Sequence, residues 1–157
     1  MDVRFNQAWL VHKFQEIQRR TIKAIEQLTD EQLNWRPNAA SLSIATLIRH
    51  IEGNILERIE KGILHRDVKR DREREFLPIP MAKAQLIAIV TEKFDLVIET
   101  VQQLTEAQFE QTQPIRSRER THADVLHQCA AHYSEHMGQI FYIAKQCLND
   151  TYASTSL

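Results

Sequence analysis

Two histidines four residues apart are the feature of this 157-residue chain that most clearly could do chemistry. His132 and His136 stand in the stretch AAHYSEHMGQIFYIAK, residues 130–145, which otherwise has the pattern of a buried helical stripe. Side chains four apart on a helix lie one turn from each other, so both imidazoles can reach one metal ion at Zn–N distances of about 2.0–2.1 Å. Imidazole ligands favour zinc, nickel, copper or iron over magnesium and calcium.

A purely structural interpretation competes with the metal site. A single histidine in a helical stripe is more often a hydrogen-bonded core or rim residue than a ligand. Two histidines on the buried face of one helix would each need a polar partner inside the core. Spacing and placement alone do not decide between the two interpretations.

A third ligand has to come from elsewhere in the chain. His50 belongs to a second predicted helix, where it lies at the shoulder of the apolar stripe beyond Leu47, so periodicity permits it without requiring it. Cys129 is seven residues from His136, about 10.5 Å along a helix axis, which is too far for a short thiol to share the ion. The remaining histidines are predicted to be ordinary surface residues: His12, His65, His122 and His127.

Four amphipathic helices are predicted to position these residues. The chain has 43% hydrophobic and 26% charged residues with only three glycines and four prolines, which favours helices and one compact domain spanning residues 1–157. Apolar residues at three-four spacing place the helices at about residues 5–28, 43–63, from after LPIP (77–80) to 104, and 121–148. Ser41 or Ser43 can cap the second helix. We therefore expect an all-α, four-helix bundle.

The links between the helices contain a repeated pattern. LTDEQLNWRP at 28–37 and LTEAQFEQTQP at 104–114 share a leucine, a threonine, an acid, a glutamine, a large apolar residue and a proline. Each link precedes a histidine-bearing helix, so the chain has the layout of two copies of a helix–link–helix unit. Because such capping patterns recur widely, chance similarity is the alternative. The long connections do indicate something other than tight antiparallel hairpins.

Charge and cysteine usage narrow the function classes. The net charge is −1, and the segment RDVKRDRERE at 66–75 mixes five basic with four acidic residues, so we expect no nucleic-acid or membrane partner and interpret this segment as a solvated loop with ion pairs. The sequence shows neither a secretory signal nor a long apolar run, so a cytoplasmic protein is expected. Cys129 and Cys147 lie about 27 Å apart on one predicted helix and are expected to be free thiols.

The helical layout, the stretch NWRPNAASLSIATLIRHIEGN at 34–54 and HYSEHMGQI at 132–140 together resemble the DinB/YfiT-like superfamily of bacterial metalloenzymes. REREF at 72–76 and GQIFYIAK at 138–145 are most similar to its branch known only as a domain of unknown function. The resemblance covers nearly the whole chain. It implies a four-helix bundle with unusual connections, often a homodimer, and a divalent metal bound by His50, His132 and His136.

The resemblance also implies a function. Three histidines leave coordination positions open, which is typical of catalytic metal sites. Zinc or nickel is expected, with iron as a further candidate, and some relatives act as S-transferases or isomerases that depend on a low-molecular-weight thiol. Hydrolysis by activated water is the other chemistry. The expected partner is a small-molecule substrate or thiol.

Supporting roles and rival functions stay open at this point. Asn54 and Arg58 can line a pocket, Glu135 and Gln139 can orient the imidazoles, and the arginines of IRSRER at 115–120 can attract an anion, although each is equally explained as a rim or loop residue. One alternative function is a non-catalytic metal-binding or stress-response bundle. Another is a helical interaction module with buried histidines and no metal.

Overall fold

The computed structural model describes residues 2–156. Four long helices dominate it, joined by three short helices, a two-stranded hairpin and two further helical turns. In chain order, the helices and strands are α1 Val3–Glu26, α2 Asp30–Asn34, α3 Ile44–Ile55, α4 Arg72–Glu75, α5 Lys83–Gln103, α6 Glu106–Glu110, β1 Thr112–Ile115, β2 Arg118–Thr121 and α7 His122–Leu148. A π-helical turn, Leu56–Lys61, continues α3, and a 3₁₀ turn, Asn149–Thr151, follows α7.

The four long helices form a bundle in which consecutive long helices are not always neighbours. α1 packs against α5 and α7, and α3 packs against the same two helices. The chain therefore crosses the bundle diagonally from α1 to α3 and again from α5 to α7. A diagonal crossing needs more chain than a hairpin between adjacent helices, which explains the long connections after the first and third predicted helices.

The all-α bundle and its four long helices are confirmed, with small shifts at the helix ends. The second predicted helix, at 43–63, changes from α to π geometry after Ile55. Of the two candidate caps, Ser43 is the one whose hydroxyl accepts from the Thr46 N–H. Leu86 is the fully buried residue in the first turn of α5. The β1–β2 hairpin was not predicted, and it pairs Thr112 with Thr121 at its open end.

The repeated link pattern corresponds to two equivalent structures. Thr29 and Thr105 each accept a hydrogen bond from the N–H of the glutamine three residues later, and that glutamine side chain bonds back to the N–H of the threonine. Each capping box starts a short helix that buries one apolar side chain, Leu33 in α2 and Phe109 in α6. The same local chemistry therefore guides both diagonal crossings.

An aromatic layer in the core joins three of the four long helices. The rings of Phe14 in α1, Phe94 in α5 and Tyr133 in α7 lie 5.8–6.4 Å apart between centroids. The Tyr133 hydroxyl donates to Asn54 Oδ1 of α3 at 2.9 Å, so the fourth helix is tied to the same layer. This layer fixes α3 relative to α7 next to the histidines.

Candidate metal centre

The structure brings His50, His132 and His136 together. One ring nitrogen from each lies within 4.8 Å of the others, and the Nε2 atoms of His132 and His136 are 2.8 Å apart. The His50 ring centroid is 5.4 Å from that of His132 and 5.0 Å from that of His136. The four-residue spacing on α7 places two of the rings one helical turn apart, and the packing of α3 against α7 brings the third to them.

His50 is held by a buried carboxylate from the charged segment. Its Nδ1 lies 3.0 Å from Glu75 Oε2, and Glu75 is only 6% exposed. Arg70 donates to both oxygens of Glu75, at 2.6 and 2.9 Å. Because the carboxylate accepts from Nδ1–H, Nε2 of the neutral ring keeps a free lone pair that can bind a metal. Histidine metal ligands commonly have an outer carboxylate of this kind.

Glu75 stays ionised in this environment. Burial alone would raise the pKa of Glu75, but the hydrogen bonds from Arg70 and His50 outweigh burial and hold the pKa below its usual value. The charge of the carboxylate is therefore available to orient the imidazole of His50. The expectation that residues 66–75 form only a solvated loop is wrong for Arg70 and Glu75, which are folded against α3.

His136 has a similar outer partner on its own helix. Its Nδ1 lies 2.7 Å from Gln139 Oε1, so Gln139 accepts from Nδ1–H and the Nε2 atom is left to face His132. Gln139 thus takes up the orienting role that the sequence allowed for it. Glu135 is exposed and makes no hydrogen bond to the histidines among residues 2–156.

His50 and His132 have the protonation state that metal binding requires. Burial, together with the charges of His136 and His50, lowers the pKa of His132 to about 4. Burial is also the main cause of the lowered pKa of His50, and the hydrogen bond that His50 donates to Glu75 opposes it only in part. Both rings are therefore neutral at pH 7, and neutral imidazole is the form that donates a lone pair to a metal.

The three side chains fit a divalent ion. Two ligands on a tetrahedral ion with Zn–N bonds near 2.05 Å are about 3.3 Å apart. The nitrogens of the histidines span separations from 2.8 Å to less than 4.8 Å, so small side-chain rotations bring all three to such an ion. With Nδ1 of His136 already bonded, its Nε2 lone pair faces Nε2 of His132 at 2.8 Å, a separation that either a hydrogen bond or a shared cation explains.

The other four histidines do not reach this centre, and two differ from the prediction. His12 and His65 are exposed as predicted. His122 is 1% exposed, and neither of its ring nitrogens has a hydrogen-bond partner in the described part of the chain. His127 is half-buried, stacks on Trp9 at 5.3 Å and bonds Asn6 at 2.7 Å. Both belong to the packing of α7 because they lie on the edge of its wide buried face.

A cavity of about 250 Å³ opens beside His132. Asn54 and Arg58 line it, as the sequence allowed, together with Cys129. Burial raises the pKa of Cys129 to about 11, so this thiol is protonated at neutral pH and is a poor nucleophile. Cys129 and Cys147 are both free, as predicted.

A four-helix bundle of this kind is also the fold of solved DinB-like proteins. YfiT from Bacillus subtilis, described as a probable metal-dependent hydrolase with an unusual four-helix bundle topology, superposes with a TM-score of 0.74 at 16% identity over 90% of this chain and 87% of its own. A DinB-like protein from Bacillus cereus gives a TM-score of 0.69 at 16% identity, covering 88% of this chain and 90% of its own. A DinB-like protein from B. subtilis, YjoA, gives 0.67 at 16% identity, covering 88% and 91%.

Within this class, the sequence matches one family over almost its full length. Residues 5–157 match the family described as "Protein of unknown function (DUF1572)", and the chain belongs to that family. No curated protein matches the sequence. None of the helices in residues 2–156 combines the length and hydropathy that a bilayer crossing requires.

Proposed function

We propose that this protein is a divalent-metal-dependent enzyme whose ion is held by His50, His132 and His136. The observation that carries the proposal is the convergence of three imidazoles to within 4.8 Å, two of them with dedicated outer hydrogen-bond partners. Three protein ligands leave a position open, which distinguishes catalytic from structural sites. When bound, the ion supplies Lewis-acid chemistry that stabilises the deprotonated form of a thiol or a water molecule.

Transfer of a small thiol to an electrophile is the reaction that the surroundings favour. The protein's own thiol in the cavity, Cys129, is protonated, so the nucleophile has to come from outside. The cavity beside His132 is lined by no carboxylate among the described residues, and Glu75 is already engaged by Arg70 and His50. A general base is therefore lacking there, and a thiolate attack needs none.

The residues of the chain have distinct tasks in such a reaction. Glu75 and Gln139 fix the ring orientation of His50 and His136, so that the donor atoms are positioned before any ligand arrives. The thiolate sulfur attacks the electrophilic carbon, the C–S bond forms, the leaving group departs with its electron pair, and the thiol proton passes to solvent.

Hydrolysis is the second candidate. YfiT is described as a probable metal-dependent hydrolase, and a second cavity of about 770 Å³ lies on the Gln139 side with the exposed carboxylate of Glu135 on its wall. Glu135 is the residue that could act as base in a hydrolytic reaction on that side.

Turnover assays separate these possibilities from a non-catalytic metal-binding bundle. The zinc- or nickel-loaded protein is assayed with monochlorobimane and a panel of small thiols, and separately with ester substrates. We expect metal-dependent thiol transfer that His136→Ala abolishes and that His12→Ala, which removes an exposed histidine, leaves unchanged. Ester turnover without thiol transfer would favour hydrolysis. Tight metal binding with no turnover of either kind would contradict an enzymatic role.

A further inference from the structure

The cavity beside His132 has a wall of unpaired positive charge. Arg58 and Arg116 both line it, and neither side chain makes a hydrogen bond or ion pair within residues 2–156. Some other arginines have acidic partners: Arg70 bonds Glu75, Arg66 bonds Glu60 and Arg120 bonds Asp124. Arg58 and Arg116 have no such partner, and no acidic residue of the described chain lines the cavity with them.

The local backbone holds both arginines over this cavity. Arg58 lies in the π-helical turn that continues α3, and Arg116 lies at the tip of the β1–β2 hairpin with a φ of 55°. The Gln113 side chain of β1, itself 5% exposed, donates to the Arg58 carbonyl oxygen at 3.2 Å. This bond joins the hairpin to the turn, so the two guanidinium groups have a fixed common support. Irregular π geometry is frequent where a side chain is aimed at a functional site.

An amide on the same wall also lacks a partner for its donors. Asn54 is 9% exposed, and its Oδ1 accepts from the Tyr133 hydroxyl at 2.9 Å. Its Nδ2 makes no hydrogen bond in the described part of the chain, although the residue lines the cavity. A buried amide with its oxygen engaged presents N–H donors to whatever occupies the space.

The cavity thus offers donors and positive charge on one side and the histidine centre on the other. We infer that it binds the terminal oxyanion, a carboxylate or a phosphate, of a small molecule whose reactive end reaches the centre at His132. Guanidinium groups and amide N–H donors match both oxyanions, and their hydrogen bonds are stronger because they are charge-assisted. The inference rests on the proposed function for the role of the molecule, but the anion site itself can be tested without metal.

Calorimetric titration of the purified full chain tests this site. The probes are succinate and phosphonopropionate, which end in a carboxylate and a phosphonate, and neutral succinamide, which has the same carbon chain as succinate. Each is titrated into zinc-loaded and metal-free protein. Because phosphonopropionate is succinate with one carboxylate replaced by a phosphonate, tighter binding of one of the two anions shows which terminal group the site prefers.

The variants are Arg58→Gln, Arg116→Gln and Arg58→Lys, with Arg118→Gln as matched control. Arg118 lies on the same hairpin, loses the same charge and does not line this cavity. We expect at least one anion to bind the wild type. Arg58→Gln is expected to weaken the affinity for that anion about tenfold or more, and Arg116→Gln to weaken it less. Arg118→Gln is expected to leave the affinity within about twofold of the wild-type value. Arg58→Lys is expected to recover part of the loss because it retains the charge.

Three outcomes overturn the inference: no binding of either anion to the wild type, equal loss in Arg58→Gln and Arg118→Gln, or equally tight binding of succinamide. Zinc affinity and melting temperature, measured on each variant, identify any loss that comes from misfolding. Arginine-dependent anion binding in a protein that takes up no zinc would disprove the proposed metal enzyme while the anion site stands. If zinc binding is normal but neither arginine substitution changes anion binding, the anion site is disproved while the metal centre stands.

Discussion

At the scale of single residues, Glu75 is the side chain whose role is most easily isolated. Its carboxylate joins His50 to Arg70, and outer partners of this kind change metal affinity about 10- to 100-fold in other proteins. Glu75→Gln is therefore expected to weaken zinc binding by about that factor, measured by competition with a chelator. Glu73→Gln, in the same short helix but exposed, is the control and is expected to bind zinc like the wild type. Equal affinities for the two variants would contradict the role of Glu75.

His122 allows a prediction about pH. Burial lowers the pKa of His122, an effect that the nearby backbone of Gln108 offsets only in part. The folded chain keeps this ring neutral as pH falls below the ordinary value of about 6.5, whereas the unfolded chain takes up a proton, so the free energy of unfolding decreases below that pH. His122→Leu removes this loss of stability at low pH, and it also removes two unpaired buried nitrogens.

We expect His122→Leu to have a free energy of unfolding equal to or above that of the wild type at pH 7, and an increasing advantage at pH 6 and pH 5. Urea unfolding at the three pH values measures the difference, in which the titration of the other histidines cancels. His12→Leu, at an exposed position, controls for the general effect of removing a histidine. If the free energy of unfolding of the wild type rose relative to that of His122→Leu as the pH falls, the sign of this prediction would be wrong.

Some residues of the candidate site could be predicted from the sequence, and others could not. His132 and His136 are visible because their spacing matches the helical period, and Gln139 follows from the same geometry. Glu75 is not visible, since it stands in a run of alternating charges that is typical of solvated segments. Its burial depends on pairing with Arg70 and His50, and only the folded chain brings Glu75 and His50 together.

At the scale of elements, two glycines allow a matched test of how closely α4 approaches α3. A Cβ at Gly53 would collide with the Glu75 carboxylate, whereas a Cβ at Gly138 of α7 would meet nothing within 4 Å. Gly53→Ala is expected to displace Glu75 and weaken zinc binding. Gly138→Ala is expected to leave zinc binding unchanged and to raise the free energy of unfolding by about 0.5–1 kcal/mol, because alanine favours the helix.

Chelator competition and urea unfolding on both glycine variants provide the measurements. The two substitutions add the same single methyl group inside a helix, so a difference in zinc affinity reports on the contact with Glu75 and not on helix propensity. If Gly53→Ala binds zinc as tightly as the wild type, α4 can shift without changing the zinc affinity of the three histidines.

The repeated link makes a prediction about equivalent elements. Thr29 and Thr105 form the same capping box at the start of α2 and α6. Replacing either with alanine is expected to lower the free energy of unfolding by about 1 kcal/mol, since one backbone N–H of the first turn loses its partner. Denaturant unfolding of both variants checks this. A large cost at one link and none at the other would contradict their equivalence.

Element-level prediction from the sequence was good for long helices and poor for short irregular parts. Apolar periodicity over many turns located α1, α3, α5 and α7 to within a few residues. The hairpin of residues 112–121 has no clear alternation of apolar and polar residues, so nothing local predicts it. The apolar periodicity also continues unbroken past Ile55, so it does not predict the change to π geometry there, in the turn whose Arg58 carbonyl accepts from Gln113.

For the whole molecule, the order of the helices determines the site. Because both crossings are diagonal, α3 and α7 become neighbours although the segment between them contains α5, and His50 meets the histidines of α7. The resemblance to the DinB/YfiT-like superfamily predicted this fold, whereas composition alone reached only a helical bundle. The homodimer and the identity of the thiol stay predictions.

The proposed function depends on one divalent ion bound by three imidazoles, with one coordination position left open. X-ray absorption at the zinc edge, on protein loaded with one equivalent of zinc, counts these ligands. We predict three imidazole nitrogens at about 2.0–2.1 Å and at least one further light atom that the protein does not supply, with one imidazole lost in each of His50→Ala, His132→Ala and His136→Ala. A spectrum without imidazole scattering, or one unchanged by these three substitutions, would show that these histidines do not bind the ion.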